Sequence, residues 1–162
     1  MEAKQKLGLI GRNISYSFSK KYFEDKFQKL IINNYSYEIF DLQEVSEVEN
    51  LFGDPELLGF NVTIPYKEKI IKYLDELSDE AKKIGAVNCV KIENGIKTGY
   101  NTDATGFEKT LLLHLKSHHK SAIILGNGGA AKAVKYVLDK MQIQNITVAR
   151  SSEEFNFKNI SV

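Results

Sequence analysis

Apolar and polar positions along this chain switch between two periods, and the switches mark its elements. Lys6 to Gly11 carries Leu7, Leu9 and Ile10 and reads as a first strand. Arg12 to Ser19 is a polar loop with three serines. Phe23, Phe27, Leu30 and Ile31 then fall at i, i+4, i+7 and i+8, which predicts a helix to about Ile32 with those four on its inner face. Asn33-Asn34 ends it. Tyr35, Tyr37 and Ile39 alternate with polar partners, a second strand over 35–40. A short helix near Glu44 to Phe52 leads through Gly53-Asp54-Pro55 into a third strand. There Leu57, Leu58, Phe60, Val62 and Ile64 are apolar, while Asn61 and Thr63 share the opposite face. Strands alternating with helices predict parallel pairing through crossovers.

Pro65 cannot donate to a ladder and suits a first helical turn, so the pattern Tyr66, Ile70, Ile71, Leu74 predicts a helix with Lys67 in its first turn. A cation is disfavoured beside a helix N-terminus, and a destabilised ammonium is suited to acid–base work. An amide, a hydroxyl and an ammonium (Asn61, Thr63, Lys67) thus converge at one strand end. Ser78-Asp79-Glu80 starts another helix. Residues 87–93 and 96–100 read as a hairpin about Asn94-Gly95. Asp103 or Thr102 caps the next helix, whose inner face is Phe107, Leu111 and Leu115 and which frays in the polar run 116–120.

Ser121 to Leu125 reads as a buried-type strand, and Asn145 to Ala149 as the strand after it. Between them lies a helix with Ala130, Val134, Val137 and Met141 on one face. The turn into that helix is Gly126-Asn127-Gly128-Gly129-Ala130-Ala131. A Gly-x-Gly-x-x-Ala turn between strand and helix is the context of a dinucleotide fingerprint: Gly126 for the tight turn, Gly128 for approach of a pyrophosphate, Ala131 for close packing. The helix N-terminus supplies amide donors for phosphate. The next strand ends Ala149-Arg150-Ser151. Arg150 can pair with a 2′-phosphate in a forked geometry, and Ser151 or Ser152 can add a hydroxyl, so the pattern favours NADP over NAD. Glu153 and Glu154 stand against that preference.

Composition narrows the function classes. The chain has 162 residues with 22 basic against 21 acidic side chains, and no basic stripe that suits nucleic acid. Its lone cysteine, Cys89, fits a reducing compartment. The N-terminal residues do not form a signal-peptide core, and no apolar run approaches the roughly 20 residues that span a bilayer. The expectation is a soluble, cytoplasmic protein without a membrane partner. His114, His118 and His119 sit on a polar helix end, where solvated surface is the expected state and no metal is implied.

With these pieces in place, the sequence resembles the shikimate dehydrogenase family along its whole length. Gly59-Phe60-Asn61-Val62-Thr63-Ile64-Pro65-Tyr66-Lys67 looks like the family's most specific motif. Gly85-Ala86-Val87-Asn88 and Asn101-Thr102-Asp103-x-x-Gly106 look like the next two. Ser17 and Ser19 resemble its Ser-x-Ser element, Gly126 to Ala131 its nucleotide loop, and Ala149-Arg150-Ser151 its Asn-Arg-Thr/Ser clamp. The resemblance implies reversible NADPH-dependent reduction of 3-dehydroshikimate to shikimate, on the route to chorismate and the aromatic amino acids. It implies Lys67 and Asp103 as the catalytic pair. It also implies Ser17 and Ser19 on the substrate carboxylate, with Asn61, Thr63, Lys67, Asn88 and Asp103 around the ring hydroxyls. Cofactor contacts would come from Gly126, Asn127, Gly128, Gly129, Ala130, Ala131, Arg150 and Ser151.

Two positions depart from the family pattern: Lys20 stands where Pro is usual, and Ala149 replaces the clamp's Asn. The expected fold is α/β. A substrate-binding domain with a mainly parallel sheet (1–102) precedes the start of a Rossmann-like NADP-binding domain (103–162). The latter is incomplete, as in an N-terminal portion of the enzyme, with a monomer or homodimer as the assembly. The alternatives are a quinate/shikimate relative using NAD, and a non-catalytic ligand-binding module.

Overall fold

The computed structural model describes residues 5–150 and Asn156. The chain divides into two compact units. One comprises the chain through Ser78 together with Val87–Tyr100; the other comprises Asp79–Ala86 and the chain from Asn101 on. Residues 79–86 therefore group with the later unit, which a single cut at 102 does not anticipate.

The first unit is built on a six-stranded sheet. Its strands are β1 (Gln5–Gly11), β2 (Tyr35–Asp41), β3 (Leu57–Val62), β4 (Glu76–Leu77), β5 (Cys89–Glu93) and β6 (Ile96–Tyr100), in the order β2-β1-β3-β5-β6-β4. β1 pairs in parallel with β2 and β3, and β4 in parallel with β6; β5 is antiparallel to both of its neighbours. The parallel pairs follow from the crossovers. The antiparallel step follows from the Asn94-Gly95 turn, where φ is 52° and 79°, the paired positive values of a type I′ hairpin. Helix α1 (Ser19–Lys29) covers one face through Phe23 and Phe27, which pack on Leu9, Ile14 and Tyr37. Leu30 and Ile31, expected on that face, are exposed, because the helix ends at Lys29 and Ile31 turns into a positive φ of 55°. The segment after β2 is a 3₁₀ turn (Val45–Glu47) closed by a Glu44/Glu47 capping box, followed by the short helix α2 (Val48–Phe52).

The structure corrects the sequence at Lys67. Ile64–Pro65 is a cis peptide, and Tyr66 N–H returns to the Thr63 carbonyl at 2.9 Å, a turn with cis-Pro at its third position. Regular structure resumes as a 3₁₀ helix at Lys69–Tyr73. Lys67 thus lies in a loop before that helix and not in the first turn of an α-helix. Tyr66 anchors the loop: it is fully buried and its hydroxyl donates to the Leu42 carbonyl at 2.7 Å.

The second unit contains α3 (Asp79–Ile84), α4 (Thr102–His114), β7 (Ser121–Leu125), α5 (Gly129–Lys140) and β8 (Gln144–Val148), with β7 and β8 parallel. Ile84, Ala86, Ala104, Ala133 and Val137 form its core, with Phe107, Tyr136 and Met141 against it. Ala130, expected on the inner face of α5, is exposed; the buried stripe is Ala133, Val137 and Leu138. β7 is also not buried on both faces. Ile124 is buried, whereas Ile123 and Leu125 are 64% and 70% exposed. A strand of period 2 buries one face against one helix, and a second covered face requires a second layer.

The cap of α4 is Asn101, not Thr102 or Asp103. Its Oδ1 accepts from Ala104 N–H at 3.2 Å and its Nδ2 donates to the Ala86 carbonyl at 2.9 Å, with the residue 3% exposed. Asn101→Ala removes the cap and leaves a buried carbonyl unpaired, which costs about 2 kcal/mol; urea unfolding followed by circular dichroism measures it.

Candidate functional site

In the first unit, β1, β2 and β3 run in parallel, with Gly11 opposite Asp41 and Ile10 opposite Val62. All three strand ends therefore discharge their loops at one edge, the position where open α/β sheets take ligands. The loop after β1 is shaped by Asp41, whose carboxylate accepts from Asn13 N–H at 2.7 Å and Ile14 N–H at 3.1 Å. That fold-back presents Ser17 and Ser19 together. Ser17 Oγ donates to Ser19 Oγ at 3.1 Å and accepts from Ser19 N–H at 3.3 Å. α1 begins at Ser19 although Lys20 stands at the next position. Lys20 Nζ reaches Glu38 at 2.8 Å, tying the helix start to β2.

The end of β3 brings the next group. Thr63 N–H pairs with the Ile10 carbonyl at 2.9 Å, which continues the β1 ladder one residue past the strand. On the other side Val62 N–H donates to the Asn88 carbonyl at 2.9 Å, and Val87 N–H donates to the Lys67 carbonyl at 2.7 Å. Asn88 N–H donates in turn to the Tyr100 carbonyl at 3.0 Å. These backbone bonds hold Asn61, Thr63, Lys67 and Asn88 at the same edge as the serine loop. Asn88 is buried at 9% exposure, and Asn61, Thr63 and Lys67 are half-buried. The edge therefore offers hydroxyls, carboxamides and one ammonium, a donor set that suits a small, hydroxylated anion.

The sequence reading missed Tyr37 in this group. Its hydroxyl donates to Asn61 Oδ1 at 2.9 Å. Burial first, and the neighbouring Cys89 second, push its phenol up to about 12. Burial also pushes the Cys89 thiol up. The signal was present: a tyrosine at an inward strand position must find a partner for its hydroxyl, but its alternation with Tyr35 and Ile39 reads as purely apolar.

In the second unit, Asp103 is half-buried in the first turn of α4, where a carboxylate is favoured. The glycine turn fits a dinucleotide. Gly126 has φ of 112°, accessible to glycine, and its N–H is held by the Val148 carbonyl at 2.7 Å. α5 has Gly128 as its N-cap, with no side-chain cap and no acid in its first turn. A Cβ built on Gly126 or Gly128 would meet nothing within 4 Å, so the turn is open to a phosphate. Asn127 and Ala130 are exposed there, while Gly129 and Ala131 are half-buried. Arg150 is exposed just beyond β8, as a 2′-phosphate partner would need. Ser151, Ser152, Glu153 and Glu154 lie outside the described residues.

Comparison with known proteins matches residues 9–90 to the shikimate dehydrogenase substrate binding domain. The chain belongs to this family. It is 44% identical over 137 residues to the shikimate dehydrogenase (NADP(+)) of Methanococcus vannielii, covering 83% of this chain and 48% of that protein. Shikimate dehydrogenase 1 of Peptoclostridium difficile superposes with a TM-score of 0.85 at 32% identity, over 95% of this chain and 61% of that one. The shikimate 5-dehydrogenase of Thermus thermophilus, solved with NADP(H) and shikimate, gives 0.78 at 28% identity, over 91% of this chain and 56% of that one. The chain thus spans about half to three-fifths of the length of these relatives. The fold class expected from sequence, α/β with a mainly parallel sheet, is that of these structures. Among the described residues no helix is long and apolar enough to cross a membrane.

Proposed function

We propose that this chain carries the substrate-binding half and the opening of the cofactor-binding half of an NADP-dependent shikimate dehydrogenase, a cytoplasmic enzyme that reversibly reduces 3-dehydroshikimate to shikimate. The observation that carries the reading is the gathering of Ser17, Ser19, Asn61, Thr63, Lys67 and Asn88 at one sheet edge, in a family whose Thermus thermophilus member was solved with shikimate and NADP(H).

Each group has a task that its chemistry suits. The paired hydroxyls of Ser17 and Ser19 take the substrate carboxylate. Asn61, Thr63 and Asn88 hydrogen-bond the ring hydroxyls, and an analogue without those hydroxyls loses these bonds. When bound, NADPH supplies the hydride that reduces the ketone carbon. Lys67 Nζ gives the proton to the carbonyl oxygen and, as an ammonium, stabilises the charge that develops there. Asp103 is the second member of the catalytic pair. Gly126 to Ala131 would hold the pyrophosphate by backbone N–H groups, and Arg150 with Ser151 would hold the 2′-phosphate.

The test is shikimate binding to this chain by calorimetry. It is paired with NADP+ reduction, read from NADPH absorbance, by this chain and by the same chain continued to the length of its relatives. Binding with turnover in the longer protein is the expected result; a folded longer protein that neither binds nor oxidises shikimate overturns the reading. Binding without oxidation supports a ligand-binding module instead. Preference for quinate or NAD supports the alternative dehydrogenase. Arg150→Ala raises the KM for NADP+ by about tenfold or more and leaves that for NAD+ nearly unchanged, since a charge-assisted pair is lost with the 2′-phosphate alone.

A further inference from the structure

We propose that Tyr37 is a positioning residue of the substrate edge: by donating to Asn61 Oδ1 it turns the Asn61 carboxamide so that Nδ2 faces the ligand as a donor to a hydroxyl oxygen. The inference rests on the functional reading above and extends it to a residue buried beneath the site.

Tyr37 lies on β2 and Asn61 on β3, with β1 between them. Residues opposite one another in a ladder share a face, and residues two apart along a strand share it too. Tyr37 is opposite Leu7, and Asn61 is opposite Leu9. All four therefore face α1. Asn61 is the polar end of an otherwise apolar face, and the Tyr37 hydroxyl reaches past β1 to meet it at 2.9 Å.

The ring of Tyr37 could be held as well by phenylalanine. It is 2% exposed, stacks on Phe23 with centroids 4.3 Å apart at 11°, and packs with Leu9 and Ile14. The hydroxyl adds one thing to this packing, the bond to Asn61. A carboxamide has an acceptor oxygen and a donor nitrogen on opposite sides. With Oδ1 engaged by Tyr37, a half turn of the amide would make the phenol oxygen accept from Nδ2 and would take this acceptor away from the buried O–H, which is unfavourable. The orientation is therefore set from below. Burial keeps the phenol protonated through the physiological range, so the donor persists wherever the protein works. The consequence is a specificity rule: this position of the site accepts a ligand oxygen with an available lone pair and not a ligand N–H.

The experiment uses the whole chain, shikimate as the probe, and the variants Tyr37→Phe, Asn61→Ala and the double variant. Tyr37→Phe is expected to weaken shikimate binding by about fivefold to tenfold, and the Asn61 side-chain amide resonances should shift in the unliganded protein. In the Asn61→Ala background the same substitution should change the dissociation constant by less than about twofold, because its effect passes through the amide it orients. Loss of packing alone would persist in that background. Parent-like shikimate binding by Tyr37→Phe, or an undiminished effect in Asn61→Ala, overturns the proposal while leaving the functional reading intact. Failure of the parent chain to bind shikimate overturns both.

Discussion

In the chain continued to the length of its relatives, the proposed role of Lys67 predicts that replacing it by methionine lowers kcat for shikimate oxidation by about 10²–10⁴-fold, the usual contribution of a positioned acid or base, while the substrate unit stays folded. Methionine keeps the length of the stem and removes the ammonium. The loop itself is held by groups that the substitution does not touch. The Lys67 carbonyl accepts from Val87 N–H at 2.7 Å. Tyr66 beside it is fully buried and donates to the Leu42 carbonyl. Ile70 N–H donates to the Tyr66 carbonyl at 2.9 Å, so the segment is fixed on both sides. The expectation is a kcat defect in the NADPH absorbance assay with an unfolding midpoint close to the parent's. A variant within tenfold of parental kcat would remove Lys67 from the chemistry. A large fall in the unfolding midpoint would mean that the side chain is structural.

Gly59→Ala destabilises the substrate unit by about 3 kcal/mol, at the upper end of overpacking effects. Gly59 pairs with Lys91 across β3 and β5, and a Cβ there would sit 2.3 Å from the Val90 carbonyl oxygen and 3.3 Å from Lys91 Cα. Its φ of 154° adds to the cost for any L side chain. Both obstructing atoms belong to the backbone of a central strand, so neither can rotate away. β5 must separate from β3, and the Asn88 carbonyl bond to Val62 N–H goes with it. Thermal unfolding should show a fall of roughly 6–12 °C in Tm, and shikimate binding should weaken in parallel because Asn61 lies on β3 opposite Cys89 and Asn88 immediately precedes β5. A Tm within about 2 °C of the parent would contradict the predicted clash.

Local pattern carried much of this protein. Alternation and helical spacing marked the strands and main helices, Asn94-Gly95 marked the hairpin, and Gly126 to Ala131 marked the strand-to-helix turn. These are decided by period and by backbone chemistry within a few residues, which a sequence displays directly. The candidate site motifs stand out in the sequence for the same reason, since each is a short run of polar groups beside a strand or helix end.

What tertiary structure decided was which neighbours those runs meet. Helical spacing placed Leu30 and Ile31 inward, but the chain turns at Ile31 before the sheet can cover them. An apolar run made β7 look buried, yet burial depends on a layer over each face. The spacing after Pro65 suggested an α-helix under Lys67, and the cis turn anchored by Tyr66 replaced it. The sequence pointed to Thr102 or Asp103 as the cap of α4, but the cap is Asn101, which can also reach the Ala86 carbonyl. Tyr37 carried the least local signal. Its role comes from a hydrogen bond reaching past an intervening strand, and such a contact is set by sheet order, not by sequence spacing.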